Sequence, residues 1–352
     1  MISFRGFGRH FLSRVFISII AISIIATAGG CIDSGGDDDD EVLVQPDVGP
    51  GEGTDPGAIL DDGTTGNPVF TLTWSHLEAD EGPDVDMWVI DPTNAMLSTS
   101  RDGASLGPTA EGGAIDYDDQ GETGSGDGGG PERAFWPAGS APAGVYNYGV
   151  RYYTGSGSAD YMFRVYKEGS VSATSTGTLS TSGQRQVLGA ACNVPAVQNL
   201  CDLYNSNPTR FEYCQDLAYA EITGSVPPSG ISIDDEKAEI KNLLDQNGYS
   251  KVYEGAVPNT YDPNNASLLE DGDIIMFYSG PPPNDPTKAP HYAVVYGGKI
   301  YQILHWGEGG QLDGPRDLSS FASGNSRTLI NAYTGETKVS NSPYIFFVCY
   351  NN

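Results

Sequence analysis

The sequence predicts an all-β sandwich followed by an α+β domain, the two joined by a Ser/Thr/Gly-rich linker. Three observations carry that prediction. Residues 67–170 hold alternating runs such as "VYNYGVRYY" and "YMFRVYKEG", rich in Tyr, Val and Phe and separated by Gly/Ser/Pro turns, as strands of a half-buried sheet require. From 191 to 352 the apolar spacing first becomes helical and then returns to strand-like runs. Between them, "GSVSATSTGTLSTSGQ" carries few large apolar residues, which makes 171–190 read mainly as a linker, with a last strand inside it as the alternative. A chain of 352 residues has room for both domains and a tether.

In chain order, Arg5, Arg9 and Arg14 precede an apolar run from Val15 to Ala26. That run is short for a bilayer span, so residues 1–30 read as a signal peptide. Ala28-Gly29-Gly30-Cys31 resembles a bacterial lipobox, with Ala28 where Leu is usual. The resemblance implies cleavage before Cys31, lipid on its sulfur and a membrane tether; a plain secretory signal with a chance Cys is the alternative. Ile32 stands where Asp would favour inner-membrane retention, so in a Gram-negative cell the outer membrane is the default. Residues 31–66 read as a solvated tether: 32–66 contain eleven acids and no Lys or Arg, too little apolar surface to bury and enough charge to extend the chain. The whole chain has 46 acidic against 18 basic side chains, a formal charge of −28, which excludes binding of a nucleic-acid backbone by charge.

In the first folded region, "LTW", "DVDMWVIDP", "GGAIDYDD", "GGGPERAFWP", "AGVYNYGVRYY" and "FRVY" occur in that order. This set resembles the YfaP-like family of exported bacterial proteins, which implies a fold but no reaction. Asp116, Asp118, Gln120, Gly121, Glu122 and Asp127 also match positions 1, 3, 5, 6, 7 and 12 of a calcium loop. Asp116, Asp118, Glu122 and Asp127 would be the Ca²⁺ ligands, and Asp84 and Asp86 could join from another loop. Gln at position 5, Asp at position 12 and flanks without helices depart from the template, so a solvated acidic turn is the preferred reading. His76, isolated near a strand end, receives no role.

In the second region, "NPTRFEYCQDLAYAEITG" places Phe211, Leu217, Ala218 and Ile222 on a rough helical face after Pro208. "DDEKAEIKNLLDQNG" is a clearer helix, with Asp234 and Asp235 at its start, Ile240, Leu243 and Leu244 on one stripe and Gly248 as its stop. "DIIMFY", "HYAVVY", "KIYQIL" and "YIFFVCY" read as strands. The order of Cys214 in a helix, Gly272-Asp273 before a strand, His291 opening the next strand and Gln302 on the one after it resembles the NlpC-type cell-wall peptidases, a papain-like superfamily. Tyr213-Cys214-Gln215 stands where that family usually has Asp-Cys-Ser. The resemblance implies a cysteine hydrolase that needs no cofactor, with Cys214, His291 and Gln302 as catalytic residues. It also implies amide bonds of peptidoglycan stem peptides, or another cell-envelope peptide, as substrate.

The chemistry fits those residue types. A thiol reacts as thiolate, a neighbouring His takes its proton, and a third polar group fixes the ring. Register selects that third group. Gly297-Gly298 as a two-residue hairpin turn makes Tyr296 face Lys299 and Ala293 face Gln302. Gln302 then shares a sheet face with His291, and His305 points to the other face. The loop "HWGEGGQLDGPR", with Trp306, Glu308 and Arg316, reads equally as a cleft wall or a plain surface loop. Cys192, Cys201, Cys214 and Cys349 allow three disulfide pairings, among which sequence does not choose; a catalytic Cys214 would favour Cys192–Cys201. Cys349 has no helix after it to activate a thiolate. A non-catalytic surface-binding lipoprotein, its second domain locked by disulfides, is the alternative reading.

Overall fold

A computed structural model describes residues 66–75, 82–99, 106–117, 131–229, 233–260, 269–280 and 291–351. The signal segment, Cys31 and the tether lie outside these residues. So do His76 and the acidic loop with Asp118, Glu122 and Asp127, while Asp116 falls on a strand whose side chain there is not described. Among the described residues the fold is β-rich, and no helix is long and apolar enough to cross a membrane.

The first half forms β1 (Gly66–Ser75), β2 (Asp84–Ile90), β3 (Met96–Ser98), β4 (Ala114–Tyr117), β5 (Glu132–Pro137), β6 (Val145–Thr154), β7 (Ala159–Lys167), β8 (Ser170–Leu179) and β9 (Arg185–Cys192). They make two antiparallel sheets, ordered β4-β5-β1-β7-β8 and β3-β2-β6-β9. Period-two alternation sends Phe70, Leu72, Trp136 and Phe163 of the first sheet against Val85, Met87, Tyr146 and Tyr148 of the second. Trp136 meets Tyr146 edge-on at 4.9 Å and Phe163 stacks on Tyr148 at 5.0 Å between ring centroids.

The expected linker at 171–190 is overturned. Ser170–Leu179 pairs with β7 and Arg185–Cys192 with β6, so both segments are strands of the two sheets. A two-residue turn at Glu168 and Gly169, both at positive φ, closes the β7–β8 hairpin. β8 is an edge strand that shows most of its residues to water. Its Ser and Thr therefore suit a strand that buries little, and low hydrophobicity there signals an edge rather than a tether.

The halves on either side of the expected boundary at 191 pack closely on each other. The sheet β3-β2-β6-β9 is covered on both faces, and every residue of β2 is buried. Odd-numbered β2 residues face the first core. Trp88 and Ile90 instead pack on Ile330 and Ala332 of the second half. Asn147 Nδ2 donates to the Leu312 carbonyl at 2.9 Å, Arg185 Nε to the Ala332 carbonyl at 2.7 Å, and Arg316 Nη1 to the Pro92 carbonyl at 2.6 Å. Asp84 and Asp86, expected on a loop, lie buried in β2, where the charge of Asp86 acts on Arg185.

The second half contributes α1 (Gln198–Ser206), α2 (Cys214–Thr223), α3 (Ile233–Gln246), β10 (Ser250–Ala256), β11 (Ile274–Tyr278), β12 (His291–Tyr296), β13 (Lys299–His305), β14 (Gly310–Arg316), β15 (Ser326–Ile330), β16 (Thr337–Asn341) and β17 (Phe346–Asn351). Six strands form an antiparallel sheet ordered β10-β17-β11-β12-β13-β14, and β15 and β16 pair as a hairpin. Leu217 and Ala218 of α2 pack on Tyr292, Val294, Tyr301 and Ile303 on one face of the sheet. The other face buries Phe277, Ala293 and Phe347 under Leu318 and Phe321. A disulfide joins Cys192, the last residue of β9, to Cys201 in α1. Closing so short a loop stabilises the fold by roughly 2–3 kcal/mol in the chain-entropy account.

Candidate active site

The helical stretch expected from Pro208 onward starts later than its spacing suggests. Pro208–Arg210 forms one tight turn, Tyr213 is extended, and α2 begins at Cys214. The Asp216 carboxylate accepts the Tyr213 main-chain N–H at 2.6 Å, which fixes the start of the helix. Cys214 therefore sits in the first turn, with a free thiol, as Cys349 also has. The Tyr292 main chain acts on its thiol in favour of the charged form, which puts Cys214 near the start of β12.

His291 opens β12. The β12–β13 hairpin has the register that its Gly297-Gly298 turn predicts, with Tyr296 opposite Lys299 and Val294 opposite Tyr301. His291 and Gln302 consequently share a face, and His291 Nε2 lies 2.7 Å from Gln302 Oε1. Gln302 Nε2 donates to Asp313 Oδ2 at 2.6 Å, and Arg316 makes an ion pair with Asp313. His305 takes the opposite side. It stacks on Tyr213 at 4.7 Å, and its Nδ1 is 3.3 Å from the Glu212 carbonyl.

This chain of contacts fixes protons. Burial pushes the Asp313 carboxyl up, but Arg316, the Gln302 amide and the more distant Arg327 outweigh it and hold the group below its ordinary value. An ionised carboxylate can only accept, so the Gln302 amide must turn its NH₂ to Asp313 and its oxygen to His291. His291 Nε2 must then carry hydrogen, and Nδ1 is left with its lone pair as the basic nitrogen. The ring lies beside Tyr344, 5.6 Å away and 11° from parallel, and beside Phe321 at 6.0 Å.

Cys214, His291, Gln302, His305 and Tyr344 line one cleft of about 380 Å³. Burial lowers the His291 ring to about 4 and raises the Cys214 thiol to about 11. A helix N-terminus favours the thiolate by only about 0.3–1 kcal/mol. The rise from 9 to about 11 corresponds to about 3 kcal/mol in the other direction. Desolvation wins, and the resting pair is neutral thiol and neutral imidazole.

No family model, no curated protein and no solved structure matches the chain.

Asp273 of the Gly-Asp pair does not reach the cleft. It accepts from the Glu270 N–H, Cys349 Sγ and Asn351 Nδ2, at 2.9, 3.1 and 2.8 Å, and so ties the start of β11 to β17. Asp313, Tyr344, Lys237 and Arg327 were not singled out by sequence reasoning, and Arg316 was named only as part of an undecided loop. Alternation along "GQLDGPR" carried a usable signal, because Gln302 lies directly opposite Asp313. A register irregularity between Ile300 and Gln302 hides it from simple counting. Among the described residues no group of three or more His, Cys, Asp or Glu is placed to hold a metal ion.

Proposed function

We propose that this chain is an exported, lipid-anchored cysteine hydrolase. In this reading its second half is a papain-like domain of the NlpC type, and its first half is a YfaP-like β-sandwich. The observation that carries it is a free thiol in the first turn of α2, in the same cleft as a histidine whose basic nitrogen is fixed by Gln302 and Asp313. The thiol proton passes to His291 Nδ1 as the sulfur attacks an amide carbonyl carbon. Main-chain N–H groups in the first turn of α2 receive the oxyanion. The C–N bond breaks as the imidazolium returns its proton to the leaving amine. Water then adds to the thioester, gives a proton to His291, and releases the acid and the thiol. The resemblance to cell-wall peptidases makes peptidoglycan stem peptides the substrate.

The experiment is cleavage of purified peptidoglycan fragments, read by mass spectrometry, with wild type, Cys214→Ala and His291→Ala. Wild type should release new amine termini, and each variant should lose nearly all turnover. A folded His291→Ala protein that cleaves at the wild-type rate overturns the mechanism.

One observation favours a second reading. A thiol held near 11 beside an imidazole held near 4 suits an inert pocket, as in a surface-binding lipoprotein. Wild type that binds such fragments but cleaves no amide in them would establish that reading.

A further inference from the structure

We propose that Arg327 is a carboxylate-binding, specificity-determining residue of this cleft, so that the substrate is an anionic peptide with a free carboxylate close to the amide it presents to Cys214. The proposal rests on the hydrolase reading for the word substrate, but the anion site stands on its own geometry.

Arg327 lies on β15 and lines the cleft together with Cys214 and His291. Its Nε and Nη1 are buried, and neither has a hydrogen-bond partner. A buried donor without a partner is costly, and more so on a charged group. The carboxylate whose charge acts on it most is Asp313, and that carboxylate is already taken. Arg316 holds it by two contacts and Gln302 by a third. Arg327 feels Asp313 only through space. Its guanidinium instead rests 4.5 Å above the Phe321 ring, which orients the plane without consuming an N–H.

The surroundings point the same way. The chain has 46 acids and 18 bases, yet no Asp or Glu among the described residues lines this cleft. Lys237 adds a second positive charge to the lining, and Ser340, the cross-strand partner of Arg327, adds a hydroxyl. A guanidinium with two unused N–H-bearing nitrogens, backed by a second cation, suits a carboxylate, which can bind in two-point fashion along either edge that includes Nη2.

The test uses Cys214 as reporter and two small alkylating probes, anionic iodoacetate and neutral iodoacetamide, at one fixed pH. Both place a carbon on the sulfur and expel iodide, so they differ in charge and not in chemistry. Wild type should react with iodoacetate saturably and faster than with iodoacetamide. Arg327→Met should slow iodoacetate about tenfold or more while moving iodoacetamide by less than about twofold, and Arg327→Lys should fall between. Circular dichroism checks folding of both variants. Should Arg327→Met not fold, wild type alone still decides: acetyl-Gly-Gly should protect Cys214 from iodoacetamide about tenfold better than acetyl-Gly-Gly-amide. Equal protection by acid and amide, or an unchanged iodoacetate preference in folded Arg327→Met, overturns the proposal. Wild type that shows the anion preference but cleaves no peptide keeps the anion site and removes the hydrolase reading.

Discussion

Gln302 passes the polarity of Asp313 on to His291. The amide has one acceptor end and one donor end, and the buried Asp313–Arg316 pair decides which way it points. Asp313→Asn would offer both donor and acceptor, let the amide turn over, and release the imidazole tautomer. Under the hydrolase reading kcat should fall by about a hundredfold or more, because a wrong tautomer in related His-based sites costs up to about 10⁴. Gln302→Ala should leave weaker but measurable turnover, and combining Cys214→Ala with His291→Ala should add little to either alone. His305→Ala should be close to wild type, since His305 stacks on Tyr213 from the other side of the sheet. A dead His305→Ala beside a healthy Gln302→Ala would contradict this division of roles. The thiol gives a pH prediction. With Cys214 at about 11, the thiolate fraction grows as pH rises, so alkylation by iodoacetamide should accelerate about tenfold per pH unit from 7 to 10. A rate flat across that range would mean that the thiolate already exists at neutral pH.

Individual elements were legible where one physical demand dominated. "DIIMFY", "HYAVVY" and "YIFFVCY" became β11, β12 and β17 because short, nearly continuous apolar runs rich in β-branched and aromatic residues suit strands buried on both faces. The Gly297-Gly298 turn fixed the His291–Gln302 contact, because both glycines can take the positive φ that a tight hairpin needs. Other elements were hidden by competing signals. β8 looked like a linker because edge strands need little apolar surface. α1 was missed because its nine residues offer only Leu200, Cys201 and Tyr204 to the core. The start of α2 was misplaced because Phe211 fits the helical stripe yet is buried from a turn before it. The true start is set by Asp216, which makes a testable prediction. Burial and neighbouring Glu236 raise its carboxyl from 3.8 to about 7. The folded chain therefore holds more protons there than the unfolded chain between pH 4 and 7, so stability falls as pH rises through that window. Asp216→Asn should flatten the decline, seen as a melting temperature less dependent on pH between 4 and 7. An unaltered pH profile would show that Asp216 is already ionised in the folded protein.

At the scale of the molecule, the sequence showed two textures but not their fusion. Composition reports which residues want burial, not whether two faces of one sheet are buried against different partners. The all-buried strand β2 was the available clue: "DVDMWVI" places Trp88 and Ile90 on the face away from the first core, where a lone sheet would meet water. A fragment covering 191–352 should accordingly fail to fold cooperatively, because it loses the partners of Ile330, Ala332 and Leu312. Trp88→Ala, far from the cleft in sequence, should cost about 3–5 kcal/mol. It should lower one common unfolding transition rather than that of the first half alone, as calorimetry would read. A fragment 191–352 with the near-ultraviolet dichroism of the intact protein would refute the fusion.

Arg316 ties that fusion to the charge of the cleft. One end of its guanidinium holds Asp313 while another nitrogen grips the Pro92 carbonyl. A gene recombined between the coding regions for these halves would receive a cleft without the neighbour that positions its charge. A substitution at Trp88, Pro92 or Arg185 should accordingly be felt at Ile330, Arg316 or Ala332, the residues each meets across the seam.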